Sequence, residues 1–171
     1  MSLEAFQRRF EDEGRFVQRL EQIEPATLSA DAQVNRAMLL RQLRDNLTEY
    51  EDGLHLIALD MRSGPQHRHS MIDTLPMVSA QDHEDWLNRL RGLPEQLSQY
   101  QTLLSEGISR DRMQAQIVMS RVPSQIANLI TDQASDSPFY RAFTTMPEEI
   151  DSDTQASLQT AAATVIDEQI N

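Results

Sequence analysis

The sequence of 171 residues has no cysteine, no lysine, only five glycines and 5% aromatic residues. Without cysteine there is no disulfide, no thiolate nucleophile and no zinc–sulfur cluster, and nothing marks the redox compartment. Without lysine, all 15 basic side chains are arginines, which excludes Schiff-base and P-loop chemistry because each needs an amine or ammonium group. The glycines (Gly14, Gly53, Gly64, Gly92 and Gly107) are too scattered to form a phosphate cradle, and no serine sits in a G-x-S-x-G elbow. No apolar run approaches the ~20 residues of a membrane-spanning helix. The start shows no basic segment followed by an apolar one, so no export signal is visible. Positive charge is scarce as well: the net charge is −12, and Arg141 is the only base between Asp132 and Asn171. Such a chain repels phosphate backbones and anionic membranes, so neither nucleic acid nor a lipid surface is an expected partner.

What is present is helical periodicity. The central stretch, Asp82 to Gly107, places Trp86, Leu90, Leu93, Leu97, Tyr100 and Leu104 at steps of 4, 3, 4, 3 and 4. That spacing keeps them on one stripe of a helix. Pro94 interrupts hydrogen bonding but not the phase, which implies one kinked helix or two nearly collinear ones with Pro94 in a first turn. The seam suits packing inside a bundle better than a coiled-coil dimer, which would carry charged flanks over more heptads.

Four further helices flank this one. Residues 3 to 23 carry Leu3, Phe6, Phe10, Val17 and Leu20 near one face, with a bend or fraying expected at Glu13–Gly14. Ser29 is the expected cap of a helix from Ala30 to Leu59, ~45 Å long if unbroken, whose apolar sector holds Leu39, Leu43, Leu47, Tyr50, Leu54 and Ile57. Ser79 with Asp82 predicts a capping arrangement for the central helix, and Gly107 suits its C-terminal end. Ser109 is expected to cap a helix through Gln133, interrupted at Pro123 and apolar most of the way round, hence at the middle of a bundle. Ser152 with Gln155 predicts the cap of the last helix, with Leu158, Ala162 and Val165 as its stripe. Two irregular connections separate these elements, Asp60 to Val78 and Ala134 to Asp151, the second anchored by Phe139, Tyr140, Phe143 and Met146. No strand alternation or fixed-period repeat is evident. The expected fold is all-α, a bundle of about five long, partly proline-kinked helices. Residues 1–171 form a single domain in this reading, large enough to bury roughly 70% of its unfolded surface. The last helix reaches Asn171 with no glycine or proline to stop it, as in the N-terminal region of a longer protein.

Candidate chemistry is sparse. His67-x-His69 in a loop, with His83 and Glu84 at a helix start, is the only arrangement that invites a divalent metal, and a solvated loop tolerates the same residues. HEDWL is not a zincin motif, because Leu87 stands where the second histidine is needed. Glu148-Glu149 and Asp151-Asp153 suit the positive end of a helix as well as an acid/base pair. No catalytic, cofactor-binding or metal residue is therefore assigned, and His67, His69 and His83 are the only metal candidates.

Several stretches in order resemble the N-terminal part of the bacterial family known as domain of unknown function 885. They are IEPATLSADAQVNRAMLLRQLRDNLTEYEDG, LPMVSAQDHEDWLNRLRGLPEQLSQYQTLLSEGISRD, QIVMSRVPSQIANLI and DSPFYRAF. The landmarks are Arg89-Leu90, Leu93-Pro94, Gly107 and Ser137-Pro138-Phe139. The resemblance implies a longer, mostly helical protein similar to gluzincin-type zinc metallopeptidases, often a cell-envelope protein, whose histidine- and glutamate-bearing motif lies later in the chain. Nothing here matches that motif, so the resemblance carries over no catalytic residue, and zinc belongs to the parent. It implies a non-catalytic region forming part of a substrate-cleft wall, with the remainder of the parent polypeptide as partner. The alternatives are a stand-alone helical interaction module, with a homodimer as one form of it, and a small metal-dependent hydrolase using His67, His69 and His83.

Overall fold

Serine side chains open the first two long helices. In the computed structural model, which describes residues 2–170, α1 spans Leu3–Glu21, and Ser2 accepts a hydrogen bond from the Ala5 amide. α2 spans Ala30–Glu51, with Ser29 accepting from the Ala32 amide as expected. Each cap satisfies one of the amides that a helix start leaves free. α2 is shorter than its periodicity predicts, 22 residues or ~33 Å. It stops because Gly53 adopts φ 75°, a left-handed conformation that costs glycine little, and the chain turns into a 3₁₀ helix at Leu54–Leu56.

The connection after Asp60 is not structureless, since Pro65–Thr74 forms a 3₁₀ helix. α3, Ala80–Arg91, then opens with a complete capping box between Ser79 and Asp82. α4 spans Leu93–Ser109, so Gly92 separates two helices and Pro94 sits in the first turn of the second. Two short helices follow, α5 at Gln116–Met119 and α6 at Val122–Ala127, then α7 at Arg141–Thr144 and the long α8 at Ser152–Gln169. Among the described residues there is no strand, five helices have twelve residues or more, and the fold is all-α. None of these helices is long and apolar enough to cross a membrane.

Three expectations are corrected. Ser109 ends α4 rather than capping a new helix, and no continuous helix runs from there to Gln133. Pro123 opens α6 instead of kinking a longer element, and Ile117, Ile126 and Ile130 are exposed, so this segment is surface and not the bundle centre. α8 is capped by Asp151, one residue before the expected Ser152, through a hydrogen bond from the Thr154 amide.

The described chain groups into two compact units, residues 2–58 with 99–113 and residues 59–98 with 114–170. In the first, α1 lies antiparallel along α2. Arg36 donates to the Leu20 carbonyl at 2.8 Å, Asn46 to Glu13 at 3.3 Å, and the Tyr50 hydroxyl to Gln7 at 2.7 Å. Glu13 thus has a partner across the pair, and α1 continues through Gly14 without a break. Within the predicted sector Leu43 is buried and Leu47 and Tyr50 are partly buried; Leu40 is buried beside it, and Leu39 and Leu54 are exposed. Nothing lies within 4 Å of a Cβ placed on Gly14. Gly14→Ala is therefore expected to stabilise this unit by ~0.5–1 kcal/mol through reduced chain entropy. A raised urea midpoint checks it.

The second unit holds the larger core. α3 packs on α8, bringing Trp86, Leu87 and Leu90 against Leu158, Ala162, Val165 and Ile166. Ala162 is fully buried, and its small side chain suits a tight helix–helix approach. Phe139, Phe143 and Met146 anchor the Ala134–Asp151 connection in the same core, as expected. The Trp86 indole donates to the Phe139 carbonyl at 3.1 Å, which fixes that connection to α3.

Candidate functional site

The three histidines singled out by spacing all fall in the second unit but do not form a donor set. His67 lies in the 3₁₀ helix with Nε2 3.2 Å from the Met61 carbonyl, and a carbonyl only accepts, so this nitrogen donates. His69 packs edge-on against Phe139, ring centroids 5.9 Å apart, and its Nδ1 is buried without a partner. His83 has no exposed surface. Its Nδ1 donates to the Ser79 carbonyl at 2.9 Å, and its Nε2 is buried and unpartnered against the Phe143 side of the core. Among the described residues no three His, Cys, Asp or Glu side chains come together as a metal would require. His83 is placed by the turn that caps α3, and Glu84 beside it faces solvent.

The paired carboxylates have local structural work. Asp151 accepts from the Thr154 amide and hydroxyl, and these hydrogen bonds hold its pKa below the usual carboxylate range. Asp82 is lowered first by the Ser79 hydroxyl, then by the Val78 and Ser79 amides of the capping box. Glu148, Glu149 and Asp153 are exposed. Asp82 and Asp151 cap helix starts, and among the described residues these acids do not gather as a metal site would require.

Each unit carries a concave surface with both polar and apolar lining. In the first, a groove of about 360 Å³ runs over Phe6, Glu13, Glu49, Tyr50 and His55. Its floor is a row of stacked rings: Phe10 on Tyr50 at 4.5 Å, Tyr50 on His55 at 4.4 Å, and His55 against Phe6 at 5.1 Å. Arg9 lies over the Phe6 ring at 5.9 Å, so a cation of the chain itself already uses that face. Burial, and secondarily the charge of Arg110, lower the His55 pKa below its ordinary value near 6.5. As pH falls, the unfolded chain therefore takes up this proton before the folded one. The contribution is whole above about pH 6.5 and is lost as pH drops through the lower folded value. His55→Phe is expected to flatten the acid side of the stability profile in urea titrations between about pH 7.5 and 5.5; identical slopes for both proteins would contradict this.

In the second unit, a groove of about 260 Å³ opens beside α3 and the start of α4. Met71, Trp86, Leu90, Leu93 and Phe139 line it, and Arg68, Arg89 and Gln96 supply its polar groups. Arg68 comes from the 3₁₀ helix Pro65–Thr74, and its Nε is buried without a hydrogen-bond partner. Arg89 is on the exposed side of α3, and among the described residues neither arginine forms an ion pair. Sequence reasoning placed Arg89 among residues that want water and gave Arg68 no role. No motif links the two, because one lies in an aperiodic connection and the other on a helix.

A family model described as "Bacterial protein of unknown function (DUF885)" matches residues 1–171. No curated protein and no solved structure matches the chain. With the match extending over the helices, the capping turns and both grooves described above, the chain belongs to the DUF885 family of bacterial proteins.

Proposed function

We propose that this chain is a non-catalytic helical region of a metallopeptidase-like protein and forms part of a substrate-cleft wall against the remainder of its parent polypeptide. The observation that carries the reading is the uncovered apolar surface of the first unit. Val34 and Met38 on α2 are 58% and 66% exposed, and Phe16 on α1 is 50% exposed. Large apolar side chains at such exposure favour a covering surface. Reading the genomic frame past Asn171 tests the proposal. Continuation into a helix with paired histidines and a glutamate is the expected result, and a stop codon directly after Asn171 would overturn it.

The same exposed side chains favour one other reading, a stand-alone interaction module that pairs with a second copy. Light scattering over a wide concentration range separates the two. Mass that stays at the monomer value contradicts the homodimer, and a concentration-dependent doubling that Met38→Glu abolishes supports it.

A further inference from the structure

We infer that the groove beside α3 in the second unit binds a small organic monocarboxylate with an apolar body. The inference stands on the groove alone and needs neither the metallopeptidase reading nor a second copy. Trp86, Leu90, Leu93 and Phe139 give it an apolar floor, and Arg68 and Arg89 are the charged residues of its lining. The chain carries 27 acidic residues against 15 arginines. Arg15, Arg41, Arg44, Arg110 and Arg141 all pair with carboxylates. Arg68 and Arg89 form no ion pair among the described residues, like eight other arginines, and they are the two that line this groove. An unpartnered Nε donor on Arg68, withdrawn from water, is a costly arrangement that an incoming acceptor would relieve.

The chemistry of the acceptor follows from these groups. A guanidinium presents a planar fork of donors that matches a carboxylate. Asp82 and Asp85 line the adjoining surface with Arg89, which disfavours a dianion such as phosphate. The apolar floor requires a ligand with a hydrocarbon or aromatic body. At about 260 Å³ the groove lies at the small end of ligand pockets and takes one apolar residue or a short acyl chain. The end of a peptide and a short fatty acid share this chemistry.

Trp86 is the only tryptophan in the chain, so its emission reports directly on the groove floor. Titration with N-acetyl-L-leucine, its amide, hexanoate and inorganic phosphate tests the site. At least one of the two carboxylates is expected to shift Trp86 emission saturably, and the amide and phosphate are expected to bind about tenfold more weakly or not at all. Saturation by N-acetyl-L-leucine alone identifies a peptide end, by hexanoate alone an acyl chain, and by both the shared carboxylate chemistry. Arg89→Gln, on an exposed position, is expected to keep the melting temperature and weaken binding about tenfold, and Arg68→Gln to weaken it similarly. The inference is overturned by no saturable response to either carboxylate, by an amide that binds as tightly as the acid, or by unchanged affinity in Arg89→Gln.

Discussion

Replacing Trp86 by alanine is expected to cost the second unit about 3–5 kcal/mol. The indole is 2% exposed and packs in the core that joins α3 to α8 and to the Ala134–Asp151 connection. It also donates to the Phe139 carbonyl, so truncation removes both a large apolar volume and the partner of a buried acceptor. Trp86→Phe separates the two effects. It keeps most of the apolar body and loses the N–H, and is expected to cost about 1–3 kcal/mol. Far-UV circular dichroism in urea reads both variants, since neither retains the fluorophore. A loss below about 1 kcal/mol in Trp86→Ala would mean that the indole is not held in the core.

Gly107→Ala is expected to destabilise the first unit by about 1–3 kcal/mol although it places the better helix former inside a helix. Gly107 lies within α4 and is buried, not beyond the helix end where its sequence context puts it. A Cβ there would stand 2.7 Å from the Arg112 carbonyl oxygen and 3.1 Å from that of Leu56. Both obstacles are backbone. The chain folds back over this position through Asp111, at φ 55°, and the Arg112 amide bonds to the Gly107 carbonyl at 2.8 Å. Arg112 then reaches the Asp52 carbonyl at 2.8 Å, tying this turn to the end of α2. The methyl group would displace that turn. Gly14→Ala makes the same substitution in α1 where nothing is near, and its expected effect has the opposite sign. Urea midpoints for the two variants measured side by side therefore isolate the close approach from helix propensity.

The elements with strong local signals were legible in the sequence. Ser79 and Asp82 made the capping box their spacing implies, and the stripe of Leu158, Ala162 and Val165 is the buried face of α8. Trp86, Leu90, Leu93 and Tyr100 are buried along the predicted seam, though Leu103 is more deeply buried than Leu104. Periodicity failed where burial depends on a neighbour it does not report. Ile117, Ile126 and Ile130 have the composition of a central helix, but α5 and α6 are short and leave them at the surface. On α2 the predicted sector holds at Leu43, Leu47 and Tyr50, but at its N-terminal end Leu40 is buried instead of Leu39, a choice set by tertiary packing such as that of α1 and not by periodicity. The α8 cap moved by one residue because Asp151 and Ser152 are both good capping residues, and only the backbone at Asp151 is extended enough to serve. The arginine groove had no sequence signal, since it joins an aperiodic 3₁₀ segment to a helix face by tertiary packing alone.

In the proposed reading these helices supply shape and a binding surface, and any metal-dependent step belongs to the remainder of a parent polypeptide. Equilibrium dialysis of the 171-residue chain against zinc, followed by metal analysis, tests this most directly. Zinc far below one ion per chain, unchanged in a variant lacking His67, His69 and His83, is the predicted result. One tightly held ion per chain that disappears in that variant would contradict it.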